Sequence, residues 1–283
     1  MNYNISEMLT IYNKSFPRLQ TDEETFAECL MLDQGSRVFE HRVNGALAGY
    51  SVVNDDCILL LCVDPAYRKQ GIGSQLLHIS EEHISRSFDV IHLGSSGNTY
   101  LLCGVPMDPD CASHEFFQKH GYIEKWISCD MIIDLASYSR KPELDNKDSD
   151  IIIRPRSNDA DEIVKTIQCA EIIDGWGDCY KAAADVIVAE TKGEIIGLVI
   201  VERDSCIFTK SLKEAGTLAC LGVLEAYRKH GVGMKLCQEA LCRLKESGCK
   251  TCHIGYTWLD WWYGKLGARK YMSYWMGEKK IER

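Results

Sequence analysis

Residues 226–233 have the sequence Ala-Tyr-Arg-Lys-His-Gly-Val-Gly and follow an apolar run from Thr217 to Leu224. This order predicts a strand, a short polar elbow, a glycine loop and an amphipathic helix from Met234. The N–H groups of a helix's first turn have no partner inside the helix, and glycine lets a ligand approach them closely. The stretch therefore predicts a site for an anionic group such as a pyrophosphate. Its R-x-x-G-x-G spacing differs from the dinucleotide-binding and P-loop patterns.

A second copy of this stretch occurs earlier in the chain. Residues 66–73, Ala-Tyr-Arg-Lys-Gln-Gly-Ile-Gly, follow the apolar run from Cys57 to Val63. The arginine and both glycines recur after 160 residues, which is the length of an ordinary domain. A repeat at this interval predicts an internal duplication, with one phosphate-binding loop in each half.

The two loops resemble the signature of the GNAT N-acetyltransferase superfamily, which follows the fourth strand and binds the pyrophosphate of acetyl-CoA. The resemblance covers nearly the whole chain and implies a mixed α/β (α+β) fold. Each of two tandem GNAT-like domains would be a central mixed sheet flanked by helices. We expect these domains at 1–136 and 151–283. The polar, charged stretch 137–150 would be the linker between them.

The resemblance also implies acetyl-CoA as the acetyl donor and assigns residues to it. The positions implied to bind acetyl-CoA in the C-terminal copy are Leu221, Gly222, Val223, Arg228, Lys229, His230, Gly231, Val232 and Gly233. In the N-terminal copy they are Arg68, Gly71 and Gly73. In the family, the strand before the loop is bulged, so that a backbone N–H can act as an oxyanion donor. No metal is expected, because the single C-x-x-C at Cys249 and Cys252 has no second ligand pair.

A helix motif after each loop distinguishes the two copies. The stretch Trp-Trp-Tyr-Gly-Lys-Leu-Gly at 261–267 resembles the GNAT motif whose tyrosine protonates the leaving thiolate, which places Tyr263 in that role. The corresponding position in the first copy is Phe117, which has no proton to donate. We therefore expect the C-terminal domain to be catalytic and the N-terminal one degenerate. The alternative for Tyr263 is an aromatic anchor with its hydroxyl at the surface.

The general base is less well defined by the sequence. Many family members carry a carboxylate on the strand before the loop, but residues 217–223 have none. The resemblance places the loop from Asp174 to Asp178 beside the acceptor, so these two carboxylates are the candidates, with Glu202 in reserve. Each could equally be a solvated turn carboxylate or a helix cap.

Tryptophans surround this expected site, at Trp176, Trp258, Trp261 and Trp262. Their rings could stack on a sugar while carboxylates bind its ammonium, or they could simply belong to the core. Tandem GNAT proteins include glucosamine/glucosaminide N-acetyltransferases, so the expected acceptor is the primary amine of a small molecule, best an aminosugar. Two alternatives stay open. The acceptor could be a protein or peptide amine, or the chain could be an acetyl-CoA-binding sensor without turnover.

Composition limits the remaining classes of function. The chain has 283 residues, 46% of them hydrophobic and 26% charged, which is typical of a globular protein. Its formal charge of −9 lies almost entirely in residues 1–145, and neither half has the basic excess of a nucleic-acid-binding protein. No apolar stretch approaches the roughly 20 residues of a membrane span. We expect a cytoplasmic protein without nucleic-acid or membrane partners, whose 14 cysteines are reduced thiols.

Overall fold

The computed structural model of the chain describes residues 3–94, 101–107, 113–145 and 150–281. These residues form two compact units. Unit 1 comprises Met1–Asp130, Ile207–Leu212 and Tyr271–Arg283, and unit 2 comprises Met131–Cys206 and Lys213–Lys270. Both units combine helices with a sheet of parallel and antiparallel strands, which is the mixed α/β class expected from the sequence.

The helices and strands follow one another in an order that is broadly repeated. Up to residue 134 they are α1 (Ile5–Ser15), α2 (Glu23–Cys29), β1 (Arg37–Val43), β2 (Ala46–Asn54), β3 (Cys57–Val63), α3 (Ile72–Ile84), β4 (Val90–Leu93), β5 (Val105–Pro106), α4 (Ser113–Lys119) and β6 (Ile123–Asp134). After residue 150 they are β7 (Ile152–Pro155), α5 (Ala160–Asp174), α6 (Gly177–Ala182), β8 (Val186–Thr191), β9 (Glu194–Glu202), β10 (Ala215–Val223), α7 (Val232–Glu246), β11 (Thr251–Thr257), α8 (Asp260–Gly264) and β12 (Arg269–Lys280). None of the described helices is both long and apolar enough to span a bilayer.

The sheet of unit 1 has the strand order β1-β2-β3-β4-β12, with β5 paired to β12. The hairpin between β1 and β2 turns at Asn44 and Gly45, whose φ angles of 51° and 85° are those of a tight hairpin turn. The apolar face of α3 packs on this sheet through buried residues such as Leu77, and Phe117 of α4 joins the same core.

Unit 2 repeats this plan with the strand order β11-β10-β9-β8-β7. The hairpin between β8 and β9 turns at Lys192 and Gly193, with φ angles of 50° and 80°. Helix α7 buries one face against the sheet, and the other face carries its charged residues. The end of α5 packs in a hydrophobic cluster around the fully buried Tyr180 and Leu198.

The last strand contributes to the core of unit 1. Lys279 of β12 pairs with Ile91 of β4, and the Trp275 side chain is fully buried in the same cluster as Phe117. Gly277 is required beside it, because a Cβ there would lie 2.1 Å from the Trp275 ring. The domain boundaries expected from the sequence remain a prediction, but these contacts group Tyr271–Arg283 with unit 1 rather than with residues 151–270.

The stretch expected to be a linker is partly fixed to unit 2. Of residues 137–150, those at 146–149 lie outside the described residues. The side chain of Gln238 on α7 accepts a hydrogen bond from the Lys141 N–H at 2.6 Å and donates to the Lys141 carbonyl at 3.1 Å. Gln238 Nε2 also donates to Asp145 Oδ1 at 2.7 Å. Residues 138–145 are therefore ordered against α7.

Candidate functional site

The glycine loop of unit 2 gathers donors at the start of α7. Gly231 adopts a φ of 81° and caps the helix, after Lys229 at a φ of 67°. Arg228 Nε donates to the Val223 carbonyl at 2.9 Å, which fixes the elbow and leaves the rest of its exposed guanidinium for other acceptors. The first N–H groups of α7 lack partners within the helix. Cationic and N–H donors thus converge where the sequence predicted a pyrophosphate site.

The loop of unit 1 has the same geometry. Gly71 caps α3 with a φ of 80°, and Lys69 has a φ of 62°. Arg68 Nε donates to the Val63 carbonyl at 3.1 Å. Because identical residues produce identical turns, the repeat in the sequence is also a repeat in structure.

The second glycine of each loop is not required by backbone strain. A Cβ at Gly233 would lie 3.5 Å from the Trp262 ring, and a Cβ at Gly73 would lie 3.5 Å from the Phe116 ring. Both are ordinary van der Waals distances, and neither glycine has a positive φ. The bare backbone is therefore explained better by the approach of a ligand than by the fold. Val232 between the glycines of unit 2 is buried, and Lys229 and His230 are exposed.

A gap opens between the strand before the loop and its parallel neighbour. β10 pairs with β11 only from Ala215↔Thr251 to Thr217↔His253, although β10 continues to Val223. Within the described residues, β3 pairs with β4 at Cys57 and Ile58, and β4 ends at Leu93. In unit 2 the pairing thus stops at Thr217, at the level where an extended ligand arm would lie between the strands.

A bulge shapes β10 at the level of this gap. The pairing of β10 with β9 shifts by one residue between Ala219 and Gly222, and Cys220 has a φ of 50°. Tyr180, which is fully buried on α6, donates its hydroxyl to the Cys220 carbonyl at 2.6 Å. Leu221, the next residue, is half-buried. Tyr180 was not predicted from the sequence, where no local pattern links it to Cys220.

The end of α5 covers the bulge. A Cβ at Gly222 would lie 2.6 Å from Ile173 and 3.0 Å from the Trp176 ring, so these side chains lie directly against the strand. Val223, the next residue, is buried. Trp176 therefore lies against the strand at the bulge, and its predicted role beside an acceptor stays a prediction.

The prediction of a loop from Asp174 to Asp178 is wrong. Asp174 is the last residue of α5, which Gly175 ends with a φ of 66°, and Asp178 lies in the first turn of α6. A left-handed glycine stops the first helix, and the chain re-enters helix almost immediately. Both carboxylates are nevertheless exposed.

Two of the three candidate carboxylates influence the bulge. Burial raises the pKa of the Cys220 thiol to about 12, and the neighbouring Cys179 thiol contributes next. The charges of Glu202 and Asp174 raise it further. The geometry agrees, because Glu202 pairs with Thr217 of β10 and Asp174 follows Ile173, which lies against Gly222.

Tyr263 lies on α8 and is 6% exposed. Burial raises the pKa of Tyr263, with a smaller contribution from the thiols of Cys237 and Cys252, so its hydroxyl stays protonated. Its ring meets that of Trp262 edge-on at 4.8 Å, and the Trp262 ring lies 3.5 Å from where a Cβ on Gly233 would be. α8 therefore lies beside the phosphate loop.

The remaining tryptophans are placed differently. Trp258 and Trp261 are 62% and 63% exposed. The Lys265 ammonium lies 4.9 Å from the centre of the Trp261 ring, a cation–π contact at the surface. They are not packed into the core. Across the described residues, no group of three or more His, Cys, Asp or Glu side chains is arranged to hold a metal ion.

Comparison with known proteins identifies the repeat. The acetyltransferase (GNAT) domain matches residues 31–124 and again residues 182–267. A search of curated protein sequences gives no significant match.

Several solved structures share the fold of the chain. A GCN5-related glucosamine N-acetyltransferase region of a fungal multi-domain GH3 β-N-acetylglucosaminidase is 22% identical with a TM-score of 0.84, over 97% of this chain and 36% of that one. This chain thus spans about a third of that protein. A GCN5-related N-acetyltransferase from Sphaerobacter thermophilus is 15% identical with a TM-score of 0.77, over 98% and 92% of the two chains.

A tandem GNAT protein from the clavulanic acid biosynthesis pathway is 12% identical with a TM-score of 0.68, over 99% and 95% of the two chains. At these identities the likenesses show the fold. The two domain matches cover more than half of the sequence, and the chain therefore belongs to the GNAT acetyltransferase family and carries its domain twice.

Proposed function

We propose that unit 2 transfers the acetyl group of acetyl-CoA to the primary amine of a small acceptor, and that its preferred acceptor is an aminosugar. The observation that carries this proposal is that α8, with the protonated Tyr263, lies beside the intact loop, where the Trp262 ring adjoins Gly233. In unit 1 the position of Tyr263 is occupied by Phe117, which is buried in the core. Unit 2 thus has a hydroxyl where unit 1 has none.

The reaction asks three things of unit 2. Arg228 and the N–H groups at the start of α7 bind the pyrophosphate of acetyl-CoA, which supplies the thioester. The bulge of β10, held by Tyr180, directs a backbone N–H at the thioester oxygen. The amine attacks the carbonyl carbon, the carbon–sulfur bond breaks, and Tyr263 gives its proton to the departing sulfur.

The amine must also lose a proton. Asp174 and Glu202 are the carboxylates near the bulge, and we assign the base to Asp174, acting through water, with Glu202 binding the acceptor. Asp178, in the first turn of α6, would attract the cationic acceptor. A carboxylate beside a half-buried Trp176 ring suits a molecule that presents an ammonium and an apolar sugar face. The exposed Trp258 and Trp261 would extend this surface to a longer saccharide.

Three further findings bear on the acceptor, the partners and the compartment. The fungal structure that shares the fold is a glucosamine N-acetyltransferase region. The unit has no basic patch in its sequence to suggest a nucleic-acid partner. The described cysteines form no disulfide with one another, which suits a reducing compartment such as the cytoplasm.

The test is release of the CoA thiol from acetyl-CoA in the presence of different amines. Glucosamine, chito-oligosaccharides, an aminoglycoside, a polyamine and a lysine peptide are supplied at equal concentration. We expect the highest kcat/KM with glucosamine or its oligomers. Preference for the peptide would replace the aminosugar by a protein amine, and absence of release with every amine would leave a sensor of acetyl-CoA.

A further inference from the structure

Unit 1 contains a cavity of about 620 Å³ that starts at its phosphate loop. It is formed by β3, the end of β4, β5 and α4, all within unit 1. At one end are Gly71 and Gly73 of the loop, and at the other are residues around Leu102 and Val105. A cavity of this size is typical of a small-molecule site rather than of a packing defect.

The cavity has a cationic rim and an apolar interior. The exposed residues Arg68, Lys69 and Lys119 line it, and among the lining residues that the structure describes the one carboxylate is the exposed Glu115. The interior is lined by buried aliphatic and aromatic side chains: Ile58, Leu59, Leu60, Leu93, Val105 and Phe117. This cationic rim occurs in the acidic half of the chain. The arrangement is complementary to a molecule with an anionic head and an apolar chain.

A hydrogen-bonded pair fastens the wall of the cavity to the loop. His120 Nδ1 lies 2.8 Å from the Phe116 carbonyl, which can only accept, so Nδ1 carries the proton. His120 Nε2 forms a hydrogen bond with the Ser74 hydroxyl at 3.1 Å. The Phe116 ring packs on His120 at 4.4 Å and touches Gly73. The corresponding residues of unit 2 are Met234 and Leu266, so this wall is a property of unit 1.

The cavity has no hydroxyl at the position that Tyr263 holds in unit 2. Phe117, in the position of Tyr263, presents only its ring. An aliphatic interior also gives an acyl chain longer than acetyl a place to bind, because burying each methylene is favourable.

We propose that unit 1 binds a CoA thioester whose acyl chain is longer than acetyl, and holds it without transferring the acyl group. The head group lies against Arg68, Lys69 and the start of α3, and the acyl chain occupies the apolar end of the cavity. The inference rests on the proposed function in one respect, that the glycine loops bind CoA.

The experiment is equilibrium binding to the full chain, without an amine, of CoA, acetyl-CoA, butyryl-CoA and octanoyl-CoA. Octanoate and octyl phosphate are included to separate CoA thioesters from other anionic amphiphiles. Besides the acetyl-CoA site proposed for unit 2, we expect one site per chain whose affinity rises by up to about fourfold per methylene until the cavity is full. Octanoate and octyl phosphate should bind at least about tenfold more weakly than octanoyl-CoA.

Matched variants assign this site to unit 1. Arg68→Glu should weaken octanoyl-CoA binding at least about tenfold, and Arg228→Glu, the same change in the other loop, should leave that site intact. Leu61→Trp, which fills the cavity from β3, should abolish the dependence on chain length while the circular dichroism spectrum is kept.

Three results would overturn the proposal. They are affinity that does not depend on chain length, loss of the octanoyl-CoA site in Arg228→Glu but not in Arg68→Glu, and equal affinity for octyl phosphate. Because binding is measured without an acceptor, failure here is separate from failure of acetyl transfer. A chain that binds octanoyl-CoA in unit 1 but acetylates no amine would contradict only the proposed function.

Discussion

The two glycines of the unit 2 loop are glycines for different reasons. Gly231 has a φ of 81°, which a residue with a Cβ adopts only with strain, whereas Gly233 has room for a methyl group. We expect Gly231→Ala to lower the free energy of unfolding by about 1 kcal/mol. Gly233→Ala should leave the free energy of unfolding unchanged. It should raise the KM for acetyl-CoA about tenfold, because the added methyl group fills space next to the backbone where the ligand binds. Thermal unfolding and initial rates measure the two effects.

The same substitutions in unit 1 serve as controls. Gly71→Ala and Gly73→Ala should repeat the stability pattern, since the backbone geometry is the same. Equal loss of stability in Gly233→Ala and Gly231→Ala would mean that both glycines serve the fold.

Tyr263 carries the proton transfer in the proposed reaction. Tyr263→Phe removes one hydroxyl from a buried side chain and leaves the ring packed beside Trp262. We expect kcat to fall by about 10²- to 10⁴-fold, with the dissociation constant for acetyl-CoA changed less than about threefold. Rapid-mixing turnover and equilibrium binding test this. An unchanged kcat would remove Tyr263 from the acid role, and weaker binding with normal kcat would make it a cofactor anchor.

At the scale of elements, three side chains of α7, Gln238, Glu239 and Lys245, hold the segment before β7. Gln238 is fully buried, and its amide satisfies both backbone groups of Lys141. Gln238→Ala leaves these groups without partners, so we expect the free energy of unfolding to fall by about 2–3 kcal/mol. The adjacent Glu239→Ala breaks only an exposed ion pair with Arg140, and should cost less than about 1 kcal/mol. Urea unfolding of both variants measures the difference, and equal losses would contradict it.

A second contact between elements predicts a pH dependence. Arg154 on β7 binds Glu162 on α5 at 2.6 Å, and this guanidinium holds the pKa of Glu162 at about 2, below its ordinary 4.5. A carboxylate whose folded pKa is lowered stabilises the protein above its unfolded pKa, and this contribution is lost as the pH falls toward the folded pKa.

Glu162→Gln should therefore destabilise the protein by about 1–2 kcal/mol at pH 7, a value reduced for the partial exposure of Arg154. The difference from the unaltered protein should shrink as the pH falls from about 4.5 toward 2. Denaturant unfolding across this range measures it. A difference that stays constant with pH would show that Glu162 contributes through packing rather than charge.

The elements that could be predicted from the sequence are those whose determinants are local. The loops and the hairpin at Asn44-Gly45 depend on residues adjacent in the chain, and the structure confirms them. The hydrogen bond from Tyr180 to Cys220 joins residues 40 apart and leaves no periodic pattern. The junction at Gly175 was missed for another reason. A glycine that stops one helix does not indicate that the chain starts another two residues later.

At the scale of the whole molecule, the C-terminus is where the compact units differ most from the two consecutive domains that the sequence predicted. The sequence placed residues 271–283 in the second domain, and their contacts place them in unit 1. The alternation of β12 predicts a strand, but not the strand with which it pairs. That choice is made by the Trp275 side chain, which fills the core of unit 1 beside Leu77 and Phe117. Long-range packing of this kind cannot be derived from the period of a single segment.

Trp275 therefore provides a test of which unit the last strand stabilises. Trp275→Ala leaves a large void, and we expect it to lower the free energy of unfolding by about 3–5 kcal/mol. Trp261→Ala, which removes a tryptophan that is 63% exposed, should change it by less than about 0.5 kcal/mol. Hydrogen exchange locates the effect. In Trp275→Ala the amides of β3 and β4 should exchange faster, while those of β9 and β10 keep their rates, because the missing ring belongs to the core of unit 1. If residues 151–283 instead fold as an independent domain that includes β12, the faster exchange will appear in β10 and β11.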